Sequence, residues 1–353
     1  MGTIRAMSQR WRHRAAAALL GAVVAVAGAG QPQAAEQTER PVKIAYNLPR
    51  EHAVGTYFEV LAREIATRTA HTSVRLIPQT FPDGQLYNDT QLPDAVSTGA
   101  VDIGMINLGF MAGKDADVLR IWALPFLYSS WEAEWNAEDS AAFRKVFDTQ
   151  LRKYDQEMLG WVQYGSIEIY ANKPIHKPAD VKGLRLRAFG VDSTTLLRDL
   201  GAAPVTMSSQ EVYQAMQRGT IDGFSTGPST VMDRKLYEVS KFGTDVGLSY
   251  IPFIATANAQ WWAGLPGDVQ QAVLQASAIA TKAARDQAKA DDARLKAELA
   301  AKGVTIYTPT PEERAQWVAA AKSRQEEYLR KTGAAGKQLL DVIAAENAKA
   351  STR

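Results

Sequence analysis

Apolar and polar positions alternate along Val42-Lys43-Ile44-Ala45-Tyr46, the signature of a half-buried strand. The spacing turns helical over Ala53 to Thr67, where Tyr57, Phe58, Leu61 and Ile65 fall on one face. Val74 to Ile77 predicts a second strand. Gln91 to Thr98 predicts a short helix stopped by Gly99. Val101 to Ile106, apolar nearly throughout, predicts a buried third strand.

The same rhythm returns further on. Leu184 to Ala188 alternates as a strand, and Ser193 to Leu200 is helical. Ser208 and Glu211 form a capping box for a helix that ends at Gly219. The segments VSTGAVDI (96–103) and MQRGTIDGF (216–224) share a helix end, a glycine, a β-branched residue and an aspartate, which predicts two lobes of similar build. Repeated strand–helix–strand units predict a parallel sheet with helices on both faces. Asp268 to Lys302 is rich in Ala, Gln and Lys and predicts one helix of about 50 Å. Thr310-Pro311-Glu312-Glu313 caps a last helix or helix pair running to Ala348.

Composition narrows the class. With 353 residues, 46% of them hydrophobic, the chain can bury the cores of two domains. Residues 1–35 read as a secretory signal peptide: four arginines, an apolar run from Ala15 to Ala27, then small residues. Without those four arginines the 40 basic residues fall to 36 against 38 acidic, so the basic balance belongs to the leader. No clustered basic surface suggests nucleic acid. The lack of cysteine excludes thiol catalysis, disulfides and cysteine-held metals. No nucleophile elbow, phosphate-binding glycine loop or zinc-type histidine spacing is present.

The stretch Lys182-Gly183-Leu184-Arg185-Leu186-Arg187, followed by Gly201-Ala202-Ala203-Pro204 and Asp222-Gly223, resembles the second-domain core of the solute-binding proteins of TRAP transporters, periplasmic carriers of organic acids. Phe81-Pro82-Asp83-Gly84-Gln85-Leu86 and Asn258-Ala259-Gln260-Trp261-Trp262 resemble the same family. The resemblance implies an α/β fold: a two-lobe periplasmic binding protein of type II-like build with a long bracing helix. The expected division is lobe I over 36–164 plus 252–292, and lobe II over 165–251 plus 293–348 with the C-terminal helices.

What the resemblance implies for the site begins with Arg187 as the clamp for a ligand carboxylate. A guanidinium offers a carboxylate two parallel hydrogen bonds. By spacing alone, Arg185 and Arg187 share one strand face and either could be a solvated charge. Asn47 and Asn107 sit at ligand-facing positions in the family's alignment, or else are turn asparagines. Phe224 and Thr226 stand where relatives place an amide or acid. Asp222 is expected to be structural.

Several relatives that bind carboxylates carry a second arginine about twenty residues before the clamp; here that position is Ile167, beside Glu168, a candidate acceptor for ligand hydroxyls, with Gln163 and Tyr164 near enough to contribute contacts. A monocarboxylate such as a sugar acid or hydroxy acid is therefore expected, delivered to a TRAP-type membrane permease. An aromatic or branched 2-oxo acid on the same fold, and a periplasmic hydrolase, are the alternatives. The expected protein is a periplasmic monomer, not an enzyme, with no cofactor, no metal and no nucleic-acid partner.

Overall fold

The computed structural model describes residues 37–350 apart from 112, 114 and 115. The signal segment predicted over 1–35 lies outside the described residues. Strand β1 (Thr38–Ala45) begins the fold and pairs in parallel with β2 (Val74–Phe81) and β3 (Ile103–Ile106). Between them α1 (Ala53–Arg68) buries Tyr57, Phe58, Leu61 and Ile65, the stripe that the helical spacing selects. Helix α2 (Leu92–Ser97) completes this flank. Helices α3 (Trp131–Glu138) and α4 (Ala141–Leu151) follow, each started by a serine whose hydroxyl accepts from the first turn.

The other flank repeats the plan. After β4 (Gln156–Ala171) come β5 (Arg185–Ala188), α5 (Val191–Asp199), β6 (Ala203–Thr206), α6 (Val212–Gln217), β7 (Gly223–Thr226) and α7 (Pro228–Asp233). Strand β5 pairs in parallel with β6 and β7. The Ser208–Glu211 capping box forms, holding the turn before α6.

The expected parallel pairings are joined by two long antiparallel strands that the pattern did not reveal. Strands β4 and β8 (Phe242–Asn258) run antiparallel to each other through both lobes. Strand β8 joins β3 and β4 joins β7, each antiparallel. Among the described residues the order is β2-β1-β3-β8-β4-β7-β5-β6, with β9 (Thr305–Tyr307) beside β8. The β4–β8 register shifts three times, between Met158 and Gly160, Gln163 and Gly165, and Ile167 and Ile169. Gly165 has φ of 136°, a value few other residues tolerate.

After α8 (Ala259–Ala263) the chain enters α9 (Gly267–Ala301), the long helix expected from composition. Small residues let α9 lie close on β4: Ser277 and Thr281 hydroxyls donate to the carbonyls of Leu159 and Trp161 at 2.9 Å each. Two cations on α9 reach opposite lobes. Arg285 pairs with Glu138 at 2.9 Å and Asp139 at 2.7 Å. Lys296 pairs with Glu168 at 3.0 Å and Asp245 at 2.8 Å. Helix α10 (Pro311–Ala350) closes the fold, broken at Gly333 where φ is 58°. No helix among the described residues is long and apolar enough to cross a membrane.

Candidate functional site

Strand β5 is four residues long, and its two arginines have different fates. Arg185, at the open end, is tied to Asp222: the carboxylate accepts from the Arg185 backbone N–H at 2.8 Å and from the guanidinium at 2.6 Å. Arg187, two residues further along the same face, is only 2% exposed. Its Nε donates to the Met207 carbonyl at 3.0 Å and its Nη1 to the Ser225 carbonyl at 3.2 Å. The guanidinium carbon stands 5.8 Å from the Phe189 ring centre.

Two of five N–H donors are thereby used. Among the described residues no carboxylate comes within ion-pair distance of Arg187. Burial pulls its pKa below the usual guanidinium value, although the more distant Asp89 opposes this.

Arg187 borders a cavity between the lobes. Asn47, Asn107 and Thr226 also line it. Asn47 Nδ2 donates to the Ser209 hydroxyl at 3.1 Å, while its buried Oδ1 has no donor. Asn107 performs the turn role: its Oδ1 accepts from Gly109 N–H at 3.0 Å, and its Nδ2 donates to the Phe189 carbonyl at 3.3 Å. The Thr226 hydroxyl shares a hydrogen bond with Tyr164 at 2.8 Å. Tyr164 also donates to Thr230 at 2.7 Å and accepts from Gly227 N–H at 3.0 Å, so its ring is locked against the wall.

Three predicted site residues are elsewhere. Phe224 lies on the Thr226 face of β7, about 7 Å back along the strand. Its ring stacks on Tyr170 at 5.5 Å, inside the second lobe's core. Gln163 turns toward α3, accepting from Trp135 Nε1 at 2.8 Å and donating to Glu134 at 3.1 Å. Glu168 turns toward α9, where Tyr170 donates to it at 2.6 Å and Lys296 pairs with it. Burial pushes the Glu168 carboxyl up to about 7 despite Lys296. The pleat explains the split: Ile167 points into the cavity, so its neighbour Glu168 points away.

Asp89 is the residue that sequence reasoning missed. It follows the Phe81–Leu86 loop and lines the cavity while 4% exposed. Burial raises its pKa; Arg187 and the nearby Ser208 hydroxyl and Ser209 N–H pull the other way. Its Oδ1 has no donor. The lining therefore offers a cation with free donors at one side and two free acceptors, Asn47 Oδ1 and Asp89 Oδ1. The rest is apolar, including Leu48, Ile167, Phe189, Ile251 and Phe253.

The cleft is bridged at its rim. Arg234 on lobe II donates to the Asn47 carbonyl at 2.7 Å and pairs with Asp83 at 3.3 Å. His52 accepts at Nδ1 from Val54 N–H and meets the Ser229 hydroxyl through Nε2 at 2.9 Å. Burial and Arg234 push its pKa down to about 3, so the imidazole is neutral. At the opposite rim Gly109 and Gly190 touch backbone to backbone: a Cβ on Gly190 would stand 2.6 Å from the Gly109 Cα. Among the described residues no group of three His, Cys, Asp or Glu side chains stands together as a metal site.

Two lobes joined by crossing strands, a long helix over both, and a buried cavity between them define a solute-binding protein. The family comparison agrees: residues 44–332 match the bacterial extracellular solute-binding proteins, family 7 (DctP), and the chain belongs to that family, the TRAP solute receptors. The C4-dicarboxylate-binding periplasmic protein DctP of Vibrio cholerae is 29% identical over 273 residues, covering 77% of this chain and 80% of its own. Its Rhodobacter capsulatus namesake is 28% identical over 282 residues, covering 78% and 82%. Among solved structures, the Bordetella pertussis receptor DctP7, binding pyroglutamic acid, superimposes with a TM-score of 0.80 at 26% identity, over 86% of this chain and 99% of that one. A Shewanella oneidensis TRAP binding protein with bound succinate shares the fold at a TM-score of 0.80 and 21% identity, over 88% and 100%.

Proposed function

We propose that this chain captures a small organic monocarboxylate between its lobes and presents it to a TRAP-type membrane permease. The observation that carries this reading is Arg187: a guanidinium 2% exposed, bordering the interlobe cavity, with no carboxylate paired to it. A buried charge of this kind gains most from an anion brought by a ligand. Asp89 Oδ1 and Asn47 Oδ1 would accept hydrogen bonds from the same ligand, favouring an acid that also carries an N–H or O–H group. Pyroglutamate, bound by DctP7, has that combination.

The relatives from Vibrio and Rhodobacter are named for C4-dicarboxylates. Ile167 on the cavity wall supports one carboxylate here and not two, since a second would be buried against hydrocarbon. The lobe limits kept in this reading are 36–164 with 252–292 and 165–251 with 293–348, whose boundaries lie where Gly165 pairs with Ile251 in the β4–β8 ladder. Closure would shed water and add contacts from both lobes, so the ligand shifts the population toward the closed form. The receptor acts without turnover, in the periplasm and as a monomer.

Calorimetric titration with pyroglutamate, 2-hydroxypropanoate, glucuronate and succinate tests this. A monocarboxylate should bind tightest, and binding should disappear in Arg187→Ala. Tightest binding of succinate, or unchanged affinity in the variant, would refute the reading.

A further inference from the structure

Behind the cavity lies a second pocket. The two share Ile167, Phe189 and Ile251 in their walls. The far wall is hydrocarbon: Leu196, Leu197 and Leu248, all buried. Three hydroxyls also border it, and two are engaged. Ser193 accepts from Phe189 N–H at 2.8 Å and donates to the Gly190 carbonyl at 3.2 Å. Ser249 donates to the Trp122 carbonyl at 3.1 Å. Ser225 Oγ is buried without a partner.

We propose that this annex receives an apolar arm of the captured acid, so that the cognate ligand is a hydroxy- or amide-bearing monocarboxylate with a short branched or aromatic substituent and not a polyhydroxylated sugar acid. The inference rests on the reading that Arg187 holds the carboxylate. Phe189 is central to it: its ring lies beside the guanidinium and walls both spaces, so a ligand anchored at Arg187 passes this ring to reach the annex. An aliphatic or aromatic arm gains from leaving water there. A sugar-acid arm does not, because its several hydroxyls would face one free serine and leucine walls. Each hydroxyl buried without a partner lowers affinity roughly tenfold.

The test is a calorimetric series on the purified protein: 2-hydroxypropanoate, 2-hydroxybutanoate, 2-hydroxy-4-methylpentanoate, 3-phenyl-2-hydroxypropanoate and gluconate. Affinity should rise about fourfold per added methylene through the aliphatic members. Gluconate should bind more weakly than 2-hydroxypropanoate. Leu248→Trp, which fills the annex, should flatten the series while leaving the three-carbon acid within about twofold of its original affinity. Ala123→Leu narrows the same space and replaces it if that variant does not fold.

A flat or falling series in the unaltered protein, or gluconate as the tightest ligand, overturns the annex proposal. So does a rising series that survives both substitutions. If Arg187→Ala still abolishes binding in those cases, the clamp stands and the annex alone is refuted. Undiminished binding in Arg187→Ala refutes the clamp itself.

Discussion

Arg187 and Arg285 are both buried arginines, and they differ in what answers their charge. Arg285, on α9, meets two carboxylates, Glu138 and Asp139. Burial pushes its pKa down, but the two acids outweigh burial and the net shift is upward. Arg187, on β5, meets backbone carbonyls and an aromatic ring, and its net shift is downward. The first cation is complete within the folded chain and serves to fasten α9 to lobe I. The second is fixed in orientation by neutral groups and left with unused donors. Burial alone does not mark a functional charge; burial without a paired carboxylate is what makes Arg187 the proposed clamp.

The sharpest test of the contrast exchanges the two losses. Arg187→Ala should reduce ligand affinity more than a hundredfold, about 3–5 kcal/mol, while urea unfolding shifts by no more than about 1 kcal/mol. Arg285→Ala should do the reverse. It leaves Glu138, whose carboxyl burial already pushes up to about 7, without its counter-charge, and should remove about 3–5 kcal/mol of stability. Calorimetry on whatever remains folded should show affinity near that of the unaltered protein. Equal effects of both substitutions on both readouts would erase the distinction.

His52 extends the comparison to a buried base kept neutral. Protonation would make it another unanswered cation, beside Arg234. Its folded pKa, about 3, lies below the ordinary value of 6.5. Its contribution to stability is therefore fully present above pH 6.5 and lost as pH falls toward 3, because the unfolded chain takes the proton first. Between pH 6.5 and 5 the loss should be roughly 2 kcal/mol. Urea midpoints across that range should fall less steeply in His52→Gln; parallel slopes would remove His52 from the account. The smallest effect belongs to Asp89→Asn, which keeps the shape and removes an anionic acceptor. Affinity for a hydroxy acid should fall roughly tenfold, with a smaller change for an acid lacking the hydroxyl.

The sequence disclosed the parts whose structure is local. Tyr57, Phe58, Leu61 and Ile65 name the buried face of α1 by spacing alone, and the two capping boxes mark real helix starts at Ser208 and Thr310. Long α9 follows from composition, because no glycine or proline interrupts Asp268–Ala301. Strands β4 and β8 escaped because three register shifts break their alternation and both faces are covered for much of their length.

The strand pattern placed Arg185 and Arg187 on one face, and only the family resemblance singled out Arg187 for the proposed clamp. Phe224, Gln163 and Glu168 were misplaced because which face of a strand meets the cleft depends on register and bulges, and neither is a local property. Asp89 escaped for a related reason. Its neighbours in space, Ser208 and Ser209, are more than a hundred residues away in the chain and on the other lobe.

The three shifts of register in the β4–β8 ribbon bear on how the jaws move. Where the ladder is already out of step, rungs are missing before any motion begins, and a wringing of the ribbon concentrated there would break none of those that remain. Opening would then need no loop to melt and no paired amide to be stripped. The force of closure would pass through continuous backbone from one jaw to the other.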